Sequence, residues 1–328
     1  MSELKYWVGF NIVKGIGPAR FRLLLDRFGS LRAAWDAPEA ALHDAGLDRR
    51  SLDNLLKVRR SLDLDRTLGM VERAGASVLT WEDERYPAAL RNIADAPPVL
   101  YVKGALTDAD AWALAVVGTR KATAYGRAVT EQLVGVLARS GLTIVSGLAK
   151  GIDAIAHRAA LNAGGRSIAV LGSGVDVIYP SDHRDLAQAI VNAGALISDY
   201  PIGTRPEATN FPPRNRIISG LGMGVLITEA GEGSGALITA DYAVNQGRDV
   251  FAVPGNVLTP SSRGTNRMIQ EGAKLVMDAE DILEELNLTM ATQQAEVREA
   301  IPATAVEAKL LNLLSGEPVH IDDLCRLS

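Results

Sequence analysis

WALAVVGTRKATAYGRAVTEQLVGVLARSGLTIVSG, residues 112–147, reads as strand, helix and strand. Its two ends are near-continuous Val, Ile, Leu and Ala, the pattern of strands buried on both faces of a parallel sheet. The segment between them has helix length, and we place that helix at about residues 123–139. The same alternation runs on through SIAVLG (167–172), ALISDY (195–200), MGVLITEA (223–230), DVFAVPG (249–255) and AKLVMD (273–278). Such recurrence predicts a doubly wound α/β core with a mostly parallel sheet. Upstream, SVLTW (77–81) and PVLYVKG (98–104) add two expected edge strands, with a short helix in PAALRNI between them, so the core starts near residue 76.

Residues 1–75 contain no strand run. Helical patterns fill them: LKYWVGFNIV, ARFRLLLDRF, LRAAWDA, AALHDAG and LDNLLKVRRSL, which predict a small all-α domain. After Asp281 the polar stretch NLTMATQQAEVREAIPAT reads as a linker. AVEAKLLNLLSG and HIDDLCRLS then read as two short helices joined by a turn at Gly316 and Pro318, the second cut off by the end of the chain.

At 328 residues, with 47% hydrophobic and 22% charged, the composition is that of a globular protein of two or three domains. The amino terminus has no signal-peptide pattern and no stretch approaches the roughly 18 apolar residues of a membrane span, so a cytoplasmic protein is expected. The single cysteine, Cys325, excludes an internal disulfide, and four scattered histidines give no metal-site spacing. The net charge of −5 is unevenly spread. Residues 1–111 carry 16 basic and 16 acidic side chains, 112–220 carry 11 and 7, and 221–328 carry 7 and 16. Only the middle third is basic, which allows a local cationic cleft for a polyanion in an acidic chain.

Within that third, SDYPIGTRPEATNFPPRNRIISGL (198–221) brings an aromatic and three donors together. Arg214, Asn215 and Arg216 follow two prolines at an expected helix start, where unpaired N–H groups favour anions, and Phe211 offers a stacking surface. Guanidinium forks, an amide and a ring suit a phosphate-rich polymer with accessible bases.

The strand-end loops contribute further candidates. Gly118, Thr119, Arg120 and Lys121 follow the first strand, either as a ligand loop with Arg120 in the crevice or as a tight turn with solvated charges. Ser146, Gly147 and Lys150 follow the second. There Asp153 and His157 lie four apart on a helix face, as an acid/base pair or, with the Asp in the first turn, as a structural arrangement. Gly172 and Gly174 follow the third, where Asp176 could meet a ribose or serve the turn, Ser181 or Asp182 caps the next helix, and His183 reads as a surface residue. Ser234 and Gly235 cradle a phosphate or simply begin a packed helix. Neither G-x-G-x-x-G after the first strand nor a Walker sequence is present, which disfavours dinucleotide and ATP chemistry. Strand-end loops converge on one sheet edge, where open α/β sheets bind ligands. No nucleophile–base pair, metal cluster or paired carboxylate joins them, so binding is favoured over catalysis, with no catalytic residue, metal or cofactor expected. In the helical region, Val13-Lys14-Gly15-Ile16-Gly17-Pro18-Ala19-Arg20 resembles a helix-hairpin-helix, whose glycine turn offers amides to a phosphodiester beside Lys14 and Arg20; a plain helical hairpin is the alternative.

These residues resemble the DNA-processing protein A (DprA, or Smf) family. The resemblance rests on nine ordered blocks: YPAAL…DAPPVLYVKG (86–104), AVVGTR (115–120), VSGLAKGIDAIAH (145–157), LGSGVDVIYP (171–180), SDYPIG (198–203), NFPPRNRIISGL (210–221), EAGEGSGALITA (229–240), GRDVFAVPG (247–255) and IQEGAKLV (269–276). It implies an extended Rossmann-like domain over 76–285 that binds single-stranded DNA, protects incoming DNA, anneals complementary strands, loads RecA recombinase in natural transformation and forms a homodimer through that domain. It further implies a sterile-alpha-motif-like domain over 1–75, a linker over 286–303 and the beginning of a winged helix over 304–328. By position, Arg120 is the expected essential phosphate contact and Phe211 the base platform. Lys150, Asn215 and Arg216 stand beside them, and Arg214 and Asn215 have the alternative of holding the loop internally. Two positions depart from the family pattern: Ser181 stands where relatives often have a basic residue, and Gly-Thr-Arg replaces Gly-Ser-Arg.

The rival reading is a nucleotide-cleaving enzyme of the lysine-decarboxylase-like type, whose P-G-G-x-G-T-x-x-E signature aligns with EAGEGSGALITA here, without the proline or the acid after the small hydroxyl residue. A third reading is an adaptor that binds RecA without DNA.

Overall fold

Residues 113–117, ALAVV, are buried along their whole length and form an interior strand of a nine-stranded sheet in the computed structural model, which describes residues 3–287. In chain order the strands are β1 (Ser77–Thr80), β2 (Val99–Gly104), β3 (Ala113–Val117), β4 (Thr143–Ser146), β5 (Ser167–Val170), β6 (Gly194–Ser198), β7 (Gly224–Ile227), β8 (Asp249–Ala252) and β9 (Lys274–Leu275). They lie in the order β1-β2-β6-β5-β4-β3-β7-β8-β9. From β6 across to β9 every pair is parallel; β1 with β2 and β2 with β6 are antiparallel. The strand order reverses at β3, which pairs with β4 through Ala113↔Thr143 and with β7 through Leu114↔Gly224. The carboxyl ends of β3 and β7 therefore frame the switch point at which such sheets open a crevice.

The α-helices are α1 (Leu4–Ile12), α2 (Pro18–Phe28), α3 (Leu31–Asp36), α4 (Glu39–Asp44), α5 (Arg49–Ser61), α6 (Leu64–Arg73), α7 (Ala88–Arg91), α8 (Ala124–Arg139), α9 (Ile152–Asn162), α10 (Arg184–Ala193), α11 (Phe211–Leu221), α12 (Gly235–Asn245), α13 (Arg263–Gln270) and α14 (Glu280–Glu285). Period-2 alternation sends the two sets of strand side chains to opposite layers. Ile168, Val170, Ala195 and Ile197 pack with Leu90 of α7, Ile217, Ile218 and Leu221 of α11, and Ala240 of α12. The intervening Ala169, Leu171 and Leu196 pack with Ala154 of α9 and Leu186 and Ile190 of α10. This is the doubly wound arrangement that the sequence predicts, and α8 begins one residue after its cap, Thr123, whose side chain accepts from the Gly126 N–H.

One expectation for the sheet needs correction. β1 does form an edge, but β2 is an interior strand between β1 and β6. Val99 and Tyr101 of β2 join Val78 of β1 in a cluster with Trp7, Phe10, Phe21 and Trp35 of the amino-terminal helices, while Leu100 and Val102 face the other layer. The helices of residues 4–73 thus cover one face of the antiparallel end, which lets β2 carry apolar side chains on both sides. Of the described residues, 3–282 cluster as one compact unit. The expected linker from residue 288 onward and the expected winged-helix start fall outside the described residues.

Candidate nucleic-acid interface

A cleft of about 810 Å³ opens at the switch point. Its walls come from the β3 loop (Val117–Lys121), the β7 loop and first turns of α12 (Gly231 to Thr239), and α11 with the segment before it (Pro206, Ala208, Phe211). Seven of the expected site residues line it: Gly118, Thr119, Arg120, Lys121, Phe211, Arg214 and Asn215. Arg120 and Lys121 are exposed and form no ion pair among the described residues. The Arg120 guanidinium lies 5.7 Å from the centre of the Phe211 ring, a cation–π arrangement that places the charge over an aromatic face at the cleft mouth. The β3 loop itself is held by the Thr119 N–H donating to the Glu229 carbonyl at 2.7 Å and the Ile152 N–H donating to the Thr119 carbonyl at 3.1 Å.

Arg214 is differently employed. Its guanidinium is buried beneath Phe211, 5.9 Å from the ring centre, and donates to the carbonyls of Gly147, at 2.9 Å, and Val170. Burial pushes its pKa down to about 10, and burial raises that of Asp153, even though each favours the other's charge. Asp153 accepts from the N–H groups of Gly147 (3.1 Å) and Ala149 (3.3 Å), so this acid ties the β4 loop to the start of α9. Of the two roles open to Arg214 in the sequence, the structure realises the internal one.

The glycines follow the same logic. A Cβ at Gly147 would sit 2.6 Å from Arg214 Nη2, and one at Gly172 would sit 2.8 Å from Phe211 Cδ1. Both loops are glycine because α11 side chains pass over them; admission of a ligand is not what requires the missing side chain. The Gly147 N–H is taken by Asp153, and Ser146 is buried with its hydroxyl donating to the Val116 carbonyl at 2.6 Å. Neither residue faces the cleft, contrary to expectation.

Arg216 and Lys150 are also not among the lining residues. Arg216 is buried and paired with Asp199 (2.9 Å) and Asp95 (3.2 Å), because helical periodicity turns it toward the β6 end rather than toward Arg120. Burial opposes its charge, but the two carboxylates outweigh burial and raise its pKa. Lys150, exposed, pairs with Asp182 at 3.2 Å. Asn215 reaches across to the Gly235 carbonyl at 3.4 Å and links α11 to the mouth of α12.

Four further expectations resolve here. Asp153 and His157 do not pair: the His157 Nδ1 lies 2.7 Å from Ser167 Oγ, and the acid/base alternative loses its geometry. Asp176 accepts from the Gly203 N–H at 2.9 Å, as a turn residue would. His183 is buried rather than on the surface, with Nδ1 2.9 Å from the Leu148 carbonyl. In the amino-terminal hairpin, Gly15 takes a left-handed φ of 98° and its carbonyl accepts from Arg20, which also pairs with Asp48. The glycine turn exists, but Arg20 serves it from within, while Lys14 is exposed. Tyr179 is a lining residue that sequence reasoning passed over. Half exposed, its ring centre is 5.7 Å from that of Phe211 at a 33° tilt. Its only signal was an aromatic in a strand-end loop before a proline.

His157 carries a pH prediction. Burial, with the neighbouring positive groups, pushes its pKa down to about 3 from the usual 6.5. The unfolded chain takes up a proton near 6.5 that the folded one refuses, so this group's contribution is present above 6.5 and lost as pH falls toward 3. Denaturant titrations between pH 6.5 and 5 should show unfolding free energy falling by roughly 1 kcal/mol per pH unit from this source. In His157→Gln that share of the slope should vanish.

Residues 77–287 match the family model for DNA recombination-mediator protein A. The chain belongs to that family, the DprA or Smf proteins. Protein Smf of Synechocystis is 38% identical over 306 residues, 92% of this chain and 77% of the relative. DNA processing protein DprA of Streptococcus pneumoniae is 47% identical over 203 residues, 62% of this chain and 72% of its own. The solved S. pneumoniae DprA structure superposes with a TM-score of 0.75 at 35% identity, covering 87% of this chain and 98% of that one. DprA of Helicobacter pylori, whose structure concerns its single-stranded DNA binding mode, superposes with a TM-score of 0.58 at 30% identity, covering 66% and 96%. No helix among the described residues is long and apolar enough to cross a membrane.

Proposed function

We propose that this DprA-family chain grips single-stranded DNA in the switch-point cleft without breaking a bond, and that it protects incoming DNA and loads RecA recombinase in natural transformation. Its working form in this reading is a cytoplasmic homodimer joined through the Rossmann-like domains. The carrying observation is the exposed Arg120 guanidinium, without an ion pair among the described residues, set over the Phe211 ring at the cleft mouth. A cation beside an aromatic face serves a strand whose phosphates and bases are both accessible, and only an unpaired strand offers both. The likeness to H. pylori DprA, with its single-stranded DNA binding mode, supports the same ligand.

Arg214 contributes from below. Held by two carbonyls, it props Phe211 from the buried side and leaves the ring's orientation fixed before DNA arrives. Preorganisation of this kind limits the ordering cost of binding.

Fluorescence anisotropy with oligo-dT and with a duplex of equal length, across a salt series, tests the reading. Phe211→Ala should weaken oligo-dT binding about tenfold or more, since a base–aromatic stack is worth about 1–3 kcal/mol, while leaving the salt dependence unchanged because no charge is lost. Equal affinity for duplex and single strand, or release of free base from nucleotides incubated with the protein, would overturn it.

A further inference from the structure

The amino-terminal helices carry a second cationic surface, on α5. The residues Arg49, Arg50, Lys57 and Arg60 are all exposed, and none forms an ion pair among the described residues, although Asp53 stands among them. Residues 49, 53, 57 and 60 share one helical stripe, with 50, 54 and 57 on the adjoining row. A groove of about 410 Å³ follows it, lined by Asp53, Leu56, Lys57, Arg60 and Ser61. Three other cations of these helices are occupied, Lys5 by Asp65, Arg20 by Asp48, and Arg59 by the carbonyls of Ala34 and Ala37, whereas Arg27, Arg32, Arg66 and Arg73 are exposed on other helices and do not share the α5 row.

Two features mark this surface as more than a solvated face. Arg49 and Arg50 lie in the first turn of α5, which has no acidic residue, and cations there oppose the helix dipole at about 0.3–1 kcal/mol each. The N-cap carboxylate of Asp48 stands at the same helix start, but it is engaged by Arg20 and the Ser51 N–H and forms no ion pair with Arg49 or Arg50 among the described residues. The glycine hairpin is also fastened to the same row: Asn54 Nδ2 donates to the Lys14 carbonyl at 2.8 Å, and Ser51 Oγ to the Gly15 carbonyl at 3.4 Å. Exposed Lys14 thereby joins Arg50 and Lys57, which flank Asn54 on the helix. From Arg49 to Arg60 the row runs about 16 Å along α5. Meanwhile α1 is docked beside the carboxyl rim of the sheet, with Asn11 Nδ2 donating to the Asp199 carbonyl at 3.2 Å.

From this arrangement we infer a second nucleic-acid contact, in which the α5 row and Lys14 hold the phosphate backbone of a single strand too long for the cleft alone. The contact is electrostatic and sequence-independent, and it replaces the hairpin's backbone amides, with Arg20 engaged internally, as the binding element of the helical region.

The test compares the full chain with Lys57→Gln/Arg60→Gln and with Arg120→Ala, on oligo-dT of about 10 and about 40 nucleotides, the shorter within the reach of one cleft. The α5 pair should bind the short strand like the parent. On the long strand it should bind roughly tenfold more weakly at low salt, converge on the parent at high salt, and show a salt slope smaller by about 1.4, or about 0.7 per phosphate contact. Arg120→Ala should weaken both lengths. Parent-like affinity and slope on the long strand, or an equal loss on both lengths, would overturn the inference. Loss on the long strand by the α5 pair, with Arg120→Ala silent, would uphold it and overturn the cleft reading instead. Both substituted residues are exposed, and an unchanged unfolding midpoint checks that the fold is intact.

Discussion

Arg216→Ala is expected to lower the free energy of unfolding by about 3–5 kcal/mol, the cost of leaving a buried charge without its partner. Asp199 is the charge in question. Its side chain is 16% exposed, one oxygen receives Arg216 at 2.9 Å, and the other, Oδ1, is buried with no hydrogen-bond partner among the described residues. Arg216 also donates to the Asp95 carbonyl at 3.1 Å, so the substitution further frees the segment leading into β2. Urea titration measures the loss, and Arg216→Ala/Asp199→Ala should recover part of it by removing the orphaned carboxylate. DNA affinity of the protein that remains folded should be that of the parent, because Arg216 does not line the cleft. A variant with parental stability and weakened DNA binding would reverse this assignment.

Arg120→Ala should do the opposite. Oligo-dT affinity is expected to fall about 10- to 100-fold, since a hydrogen bond to a charged group is worth about 1.5–3 kcal/mol, while the unfolding midpoint stays put. The side chain is exposed and lies over the Phe211 ring at the cleft mouth, so its removal uncovers little that is buried. The salt slope should shrink by about 0.7, the value for one phosphate contact on a single strand. Arg120→Lys should restore the slope but only part of the affinity, because an ammonium keeps the charge and loses both the planar fork and the stacking over the ring. Anisotropy titrations at several salt concentrations separate the two effects, and unchanged affinity in Arg120→Ala would remove the cleft's principal ligand contact.

Arg120, Arg214 and Arg216 read alike in the sequence, as cations in loops or at a helix start near one sheet edge. Arg120 stands on the β3 loop, and the fates of the other two differ because each angle about α11 meets a different neighbour. Residue 214 points down to the carbonyls of Gly147 and Val170, and residue 216 points to two carboxylates more than 100 positions apart in the chain, Asp95 and Asp199. Those partners are distant in sequence, so local pattern carries no sign of them. Gly147 and Gly172 were legible as strand-end loop glycines, but what approaches them is a side chain of α11. Tyr179 entered the site unseen for the same reason: its value lies in a 5.7 Å ring contact across two loops.

The sequence alone determined the layered α/β core, the start of α8 and the carboxyl-edge position of the loops that carry Arg120 and Phe211. Each of these follows from local periodicity, turn chemistry or the general topology of parallel sheets, which short stretches of chain encode. Tertiary structure decided which cations remain available. Whether a guanidinium meets solvent, a carbonyl or a carboxylate depends on residues brought near it only by the packed sheet, and burial then makes the internal contacts of Arg214 and Arg216 obligatory while leaving Arg120 open.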